Sequence, residues 1–255
     1  MPRVARFNVP HVKGLALEHP DAIDVTANGV LEDRRFYLID DTGRLIDGLV
    51  AGTIVQVAAR TDPDGSTLRL TLPDGSVVDG DVRVGEPVST FMYGRTARGH
   101  IVEGPWGAAL EPYAQRPVRV VRVDAPGGTR EVHQTTLVSD GSLARLAEVL
   151  GTDRVDGRRF RMLIELSGAA AHEEDSWIGR TIEVGEVLLR ISAPVPRCAI
   201  PTQDPSVGVR DLDALRAIKE YRGLREGRNL DFGVWGEVER PGRIAVGDEV
   251  LVRVP

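Results

Sequence analysis

The chain has 255 residues, with 32 lysines and arginines against 38 aspartates and glutamates, so its formal net charge is −6. One cysteine excludes an intrachain disulfide, a four-cysteine zinc site and a cysteine-ligated iron–sulfur cluster. No apolar run approaches a membrane span of about 18 residues, no secretory signal opens the chain and no basic block suits nucleic acid, so we expect a cytoplasmic protein that binds neither membranes nor nucleic acid.

Strand patterns dominate the chain. Alternating or compact apolar runs predict strands, in chain order, at 36–39, 68–72 with 77–78, 116–123 and 162–166. A second pattern, apolar residues two apart followed by glycine and an acidic residue, recurs at 82–88, 182–188 and 244–250. Glycine suits a turn that requires positive φ, so we interpret these units as tight corners of β-barrels.

Two helices are predicted in the second half of the chain. Ser139 or Asp140 caps the first and Asp211 or Asp213 the second, and each helix ends at a glycine. The chain has 28 glycines and 16 prolines to form turns. The whole pattern indicates a mainly β fold with a few helices (α+β), built from barrels rather than a doubly wound sheet.

No low-complexity linker marks a domain boundary. The stretch 99–116 is rich in glycine, proline and aromatic residues. Strands and turns precede this stretch, and both predicted helices follow it. We therefore predict two domains, 1–115 and 116–255.

The lone cysteine lies in an unusual segment. Signatures of phosphate loops, dinucleotide-binding loops, zinc proteases and serine nucleophile elbows are absent, and a charged run at 172–175 is interpreted as a solvated loop. Residues 194–205 follow a strand at 187–191, and their prolines predict a loop that leaves a barrel. Arg197 beside Cys198 favours the thiolate, the form that binds soft metals or attacks electrophiles. Spacing alone leaves this interpretation open against a buried, inert thiol.

The cysteine is accompanied by an ordered series of short segments. They are Val12-Lys13-Gly14, 29–40 with Asp33-Arg34-Arg35-Phe36, 174–177, 182–187, Arg197-Cys198 with Thr202, Asp204, Pro205 and Gly208, 212–223, 232–235 and 241–250. Together they resemble the MOSC-domain proteins, the molybdenum cofactor sulfurase C-terminal domains and their relatives, a group that includes the mitochondrial amidoxime-reducing component. The resemblance implies a MOSC-type β-barrel, preceded by a smaller β-barrel-like domain.

The same resemblance implies a cofactor site. Cys198 would be the ligand of molybdenum held by molybdopterin, with one cofactor per chain and no iron–sulfur cluster. The cofactor-binding residues would be Lys13, Arg34, Ser139, Ser142, Arg161 and Thr202. Asp204 joins Cys198 as a candidate catalytic residue. Two positions depart from the family: Met162-Leu163 stand where Pro-Asn is usual, which removes a hydrogen-bonding asparagine, and Gly14 stands where Ser is frequent.

Three functions are consistent with these residues. The leading hypothesis is a molybdenum-dependent oxidoreductase that reduces small N-hydroxylated or N-oxide-like molecules with electrons from an external ferredoxin- or flavoprotein-type donor. The second is a sulfur-carrying or cofactor-handling protein that uses a Cys198 persulfide. The third is a non-enzymatic binding protein that has lost the cofactor, and it predicts a closed or apolar pocket.

Overall fold

The computed structural model describes residues 1–129 and 133–253. Its strands are β1 Arg3–Phe7, β2 Ala22–Val25, β3 Phe36–Ile39, β4 Leu45–Ile46, β5 Ala58–Arg60, β6 Thr67–Thr71, β7 Val77–Asp81, β8 Arg83–Met92, β9 Arg95–Glu103, β10 Arg119–Val123, β11 Thr135–Ser139, β12 Ile164–Ser167, β13 Thr181–Val184, β14 Val187–Pro196, β15 Asp231–Arg240, β16 Gly242–Ala245 and β17 Val250–Val252. Its α-helices are α1 Trp106–Ala114, α2 Asp140–Leu150 and α3 Ala214–Arg222. Single 3₁₀ turns lie at Gly52–Gln56, Gly157–Phe160, Glu173–Trp177 and Ile200–Thr202.

The larger sheet curls into a nearly closed barrel. Its seven strands follow the order β1-β12-β11-β15-β14-β13-β17. The two outer strands approach each other, because Arg3 forms a β-bridge with Glu249 and the Val250 amide donates to the Pro2 carbonyl at 2.9 Å. Buried aliphatic and aromatic side chains fill the interior. The predicted mainly β fold with a few helices is therefore confirmed.

The smaller body comprises a five-stranded sheet, β4-β3-β10-β9-β8, and a three-stranded sheet, β5-β6-β7. Trp106 at the start of α1 joins their shared core, and its indole donates to the Leu68 carbonyl at 2.9 Å. β10 begins after residue 115 and yet pairs with β3 and β9, whereas β1 pairs with β12 and β2 with β16. Strands from each half of the chain thus pair with strands from the other half, and these pairings connect the two bodies.

The two predicted helices are confirmed, and they pack against each other beside the barrel. The Ser139 hydroxyl accepts the Ser142 amide at 3.1 Å, so Ser139 is the cap of α2, and Gly151 ends this helix at a φ of 67°. Asp213 precedes α3 without a side-chain cap, and the helix ends at Gly223. The apolar faces of both helices share a core with stacked Phe160 and Phe232, whose ring centroids are 4.4 Å apart.

Glu18 links the segment between β1 and β2 to β5. Its carboxylate bonds to the buried imidazole of His11, and Arg60 Nε donates to it at 2.8 Å. The His11 hydrogen bond, reinforced by Arg60, lowers the pKa of Glu18 to about 2 and outweighs the opposing effect of burial. A carboxylate with a lowered pKa stabilises the fold fully above its ordinary pKa of 4.5, and this stability is lost as the pH falls through about 2.

Replacing Glu18 with glutamine is expected to lower the free energy of unfolding at pH 7 by about 1 kcal/mol, since the site is partly solvated. The variant should also lose less stability than the native chain between pH 4.5 and pH 2. Urea unfolding at a series of pH values measures both effects. Equal pH slopes in the two proteins would show that Glu18 is not an acid-sensitive contact.

Candidate functional site

An open cleft lies between the two bodies. The smaller body contributes Lys13, Arg34 and the loop at 47–49, and the barrel contributes the segments 158–163 and 195–205. Its described lining side chains include six cations and three carboxylates, in a chain whose net charge is negative. The cationic ones are Lys13, Arg34, Arg158, Arg159, Arg161 and Arg197, and the acidic ones are Asp33, Asp47 and Asp204. Arg34, Arg158 and Arg159 already pair with Asp33, Asp156 and Asp211, so Arg161 is the lining guanidinium whose charge is best placed to meet an anionic ligand.

Cys198 opens onto this cleft, and its thiol is exposed. The predicted loop from residue 194 is wrong at its beginning, because β14 continues to Pro196, which pairs with Asp231. Register shifts on either side of Pro194 interrupt the regular ladder, so the strand accommodates prolines that donate no hydrogen bond. Cys198 therefore lies two residues after the end of β14, at the wall of the cleft.

Arg197 ties the cysteine loop to the turn at 157–161. Its Nη1 lies 3.2 Å from the Met162 sulfur, its Nη2 donates to the Phe160 carbonyl, and its guanidinium lies 5.2 Å from the Phe160 ring centroid. The sequence predicts that this charge supports the thiolate. The contacts fix the guanidinium against Phe160 and Met162, which flank Arg161, and its effect on the thiol stays a prediction.

Two arginines of the cleft have left-handed backbones, Arg34 at a φ of 55° and Arg161 at 51°. This conformation costs a residue other than glycine about 1 kcal/mol or more, and such strain collects at functional sites. Arg161 Nη2 donates to the Leu15 carbonyl at 2.7 Å, and no carboxylate of the described residues pairs with its guanidinium. Burial, together with the nearby charge of Arg34, lowers the pKa of Arg161 to about 9. An anion beside Arg161 would relieve this cost.

Lys13 faces the same cleft and is only 6% exposed. Its ammonium donates to the Thr129 carbonyl at 3.1 Å and lies 4.8 Å from the Tyr93 ring centroid. The chain thus brings Lys13, Arg34, Arg161 and Cys198 together, although 185 positions separate the first from the last.

Comparison with known proteins identifies relatives of this chain. Residues 127–251 match the family described as MOSC domain. This stretch is a MOSC domain. The chain is homologous to the mitochondrial amidoxime-reducing components: it is 26% identical to component 1 from Homo sapiens over 256 aligned residues, which cover 88% of this chain and 74% of that protein. The resemblance seen in the sequence is therefore confirmed.

Further relatives match parts of the chain. Component 1 from Mus musculus is 34% identical over 123 residues, which cover 46% of this chain and 35% of that protein. Among solved structures, the YUAD protein from Bacillus subtilis aligns over 98% of this chain and 94% of its own, with a TM-score of 0.48 and 14% identity. In the part of the chain that the structure describes, no helix is long and apolar enough to cross a membrane.

The residues that follow Cys198 shape its loop. The Thr202 hydroxyl donates to the Ala199 carbonyl at 2.7 Å, and Thr202 is not among the described residues that line the cleft. Asp204 lies on the cleft wall, and its Oδ1 accepts the amides of Ser206 at 2.7 Å and Val207 at 3.1 Å. Thr202 therefore holds the turn after Cys198, whereas Asp204 reaches the cleft.

Ser139 and Ser142 lie elsewhere in the MOSC domain. Both are buried, and each hydroxyl donates to the carboxylate of fully buried Glu174 at 2.7 Å. Burial raises the pKa of Glu174 and lowers that of neighbouring His172 to about 4. The structure does not bring these serines to the cleft. The interpretation of 172–175 as a solvated loop is also wrong, because Glu174 and Trp177 are buried.

Sequence reasoning missed part of the cleft wall. His133, Gln134 and Thr136, just before or within β11, line it, and the Thr136 hydroxyl accepts the Leu163 amide at 2.8 Å. Met162 and Leu163 both line the cleft, and Leu163 also packs against the barrel core, so the departure at Met162-Leu163 makes this part of the cleft wall apolar. The sequence did hold one signal for these residues, because polar side chains follow one another at the start of the strand β11.

Proposed function

We propose that the cleft binds one molybdenum–molybdopterin cofactor per chain, and that the protein is an oxidoreductase. It would reduce small N-hydroxylated or N-oxide-like molecules with electrons from an external ferredoxin- or flavoprotein-type donor. The observation that carries this proposal is the exposed Cys198 in the same cleft as Arg161, a guanidinium that pairs with no carboxylate among residues 1–129 and 133–253. The homologous proteins named amidoxime-reducing components support the choice of substrate class.

The residues present fit such a group. A thiolate at Cys198 is a suitable soft ligand for molybdenum, and the cations Lys13, Arg34 and Arg161 suit the phosphate of the pterin. When bound, the group supplies oxygen-atom transfer chemistry. Asp204, on the same wall as Cys198, remains the candidate catalytic carboxylate. In this proposal Thr202, Ser139 and Ser142 support the fold around the site, since their hydroxyls contact protein atoms.

The other two hypotheses make different demands on the cleft. A protein that had lost the cofactor predicts a closed or apolar pocket, whereas this cleft carries six cationic side chains among its described residues. A persulfide carrier requires only an accessible thiol, which Cys198 also provides. The cationic side chains that share the cleft with the thiol favour the cofactor, because sulfur transfer alone gives these cations no role.

Metal analysis tests the proposal directly. Protein produced in a host that synthesises the cofactor is expected to contain stoichiometric molybdenum, and Cys198→Ala should lose most of it. Because Cys198 is exposed, the variant should unfold at the same temperature as the native chain when both are compared free of the cofactor. Molybdenum absent from the native protein, or retained in full by Cys198→Ala, would overturn the proposal. Labile sulfur on Cys198 without molybdenum would instead establish the carrier function.

A further inference from the structure

The turn between β8 and β9 holds an unexpected residue. Met92 pairs with Arg95, so Tyr93 and Gly94 alone form the turn, and both have positive φ, 49° and 81°. Asparagine or glycine suits the first position of such a turn, whereas a tyrosine there is strained. The turn therefore imposes on Tyr93 a backbone conformation that a tyrosine disfavours. The contacts of the Tyr93 side chain must offset the cost of this conformation.

Those contacts point into the cleft. The Tyr93 hydroxyl donates to Asp47 Oδ2, and the ring lies over the Lys13 ammonium at 4.8 Å. Asp47 is fixed in turn, since its Oδ1 accepts the amides of Leu49 at 2.9 Å and Val50 at 3.2 Å. Tyr93 lines the cleft and is 47% exposed, while Lys13 beneath it is 6% exposed. One side chain thus covers a cation at the mouth of the site.

We propose that Tyr93 is a ligand-retaining residue of the cleft, which closes over Lys13 so that an anionic group bound there enters and leaves past this turn. The inference rests on the proposed function for the identity of that group, the cofactor phosphate. The strained turn provides the placement, the Asp47 hydrogen bond holds the ring in position, and the cation–π contact joins it to Lys13.

The composition of the chain gives a direct test. Its only two lysines are Lys13 and Lys219, and Lys219 is exposed on α3. Acetylation of the folded protein, followed by mass spectrometry, gives the rate at Lys13 relative to Lys219 as an internal reference. Tyr93→Asn suits the turn and should not lower the unfolding temperature, yet we expect it to raise the relative rate at Lys13 about tenfold.

Two further variants show which part of the Tyr93 side chain protects Lys13 from acetylation. Tyr93→Phe keeps the ring and loses the hydrogen bond to Asp47, so a smaller rise of about threefold is expected. Phe91→Asn removes a 73% exposed aromatic residue two positions earlier and should leave the ratio unchanged. An unchanged ratio in Tyr93→Asn, or an equal rise in Phe91→Asn, overturns the inference.

Retention of the cofactor completes the test. In protein produced with the cofactor, we expect Tyr93→Asn to lose molybdenum during dialysis about tenfold faster than the native chain. Equal rates of loss would refute retention by Tyr93 while leaving the proposed function intact. Native protein without molybdenum would refute the proposed function, and the Lys13 acetylation ratio would still decide whether Tyr93 covers this cation.

Discussion

Replacing Arg161 with asparagine is expected to deplete the protein of molybdenum, while the cofactor-free variant should be at least as stable as the cofactor-free native chain. Two costs disappear: the left-handed backbone, which asparagine tolerates, and the burial of a cation that no described carboxylate neutralises. Against these stands one hydrogen bond to the Leu15 carbonyl. We expect the free energy of unfolding to rise by about 1 kcal/mol or to stay unchanged.

The measurement combines urea unfolding with metal analysis of the same preparation. Arg158→Asn is the matched control, because Arg158 also lines the cleft but already pairs with Asp156 at 2.6 Å. This control should keep its molybdenum. If Arg161→Asn kept its molybdenum, or lost it only together with stability, Arg161 would be a structural residue rather than a ligand-binding one.

Replacing Glu174 with alanine is expected to have the opposite pattern, a large loss of stability with no specific loss of cofactor. The carboxylate accepts both hydroxyls of Ser139 and Ser142 and the Ser139 amide at 3.2 Å, where β11 meets the start of α2. Truncation leaves these buried donors without their acceptor and creates a cavity, so the free energy of unfolding should fall by about 3 kcal/mol or more.

Chemical denaturation measures this loss, and molybdenum per folded chain is determined in parallel. Glu173→Ala, at the adjacent and more exposed position, should cost about 1 kcal/mol or less. The informative counterpart is Ser142→Ala, which tests the role that the family resemblance assigned to this serine. Depletion of molybdenum in Ser142→Ala at unchanged stability would show that the serine does serve the cofactor.

Local patterns predict much of this fold. Alternating leucines at 68–72 and the apolar run at 36–39 form strands, and Ser139 and Gly151 bound α2, because these signals act over a few residues. The strand through Pro194 was not predictable, since proline normally ends a ladder and only the irregular register with β15 accommodates it.

Only some of the residues predicted for the site lie in the cleft. Lys13, Arg34, Arg161 and Cys198 meet in one cleft, as the resemblance implied. Ser139 and Ser142 do not, because a serine before a helix serves equally well as a cap or as a ligand, and only tertiary contacts distinguish the two. Tyr93 gave no local signal, since its contacts with Lys13 and Asp47 join parts of the chain far apart in sequence.

The meeting of Arg3 with Glu249 has a consequence for biosynthesis. The barrel closes only when β17 is available to complete it, although β1 leaves the ribosome first. Until then β1 and β13, the strands that the C-terminal segment joins, each present an unpaired edge, and such edges associate readily with other chains. Contacts between distant segments also slow folding. We therefore expect the nascent protein to rely on protection by chaperones for longer than its size suggests.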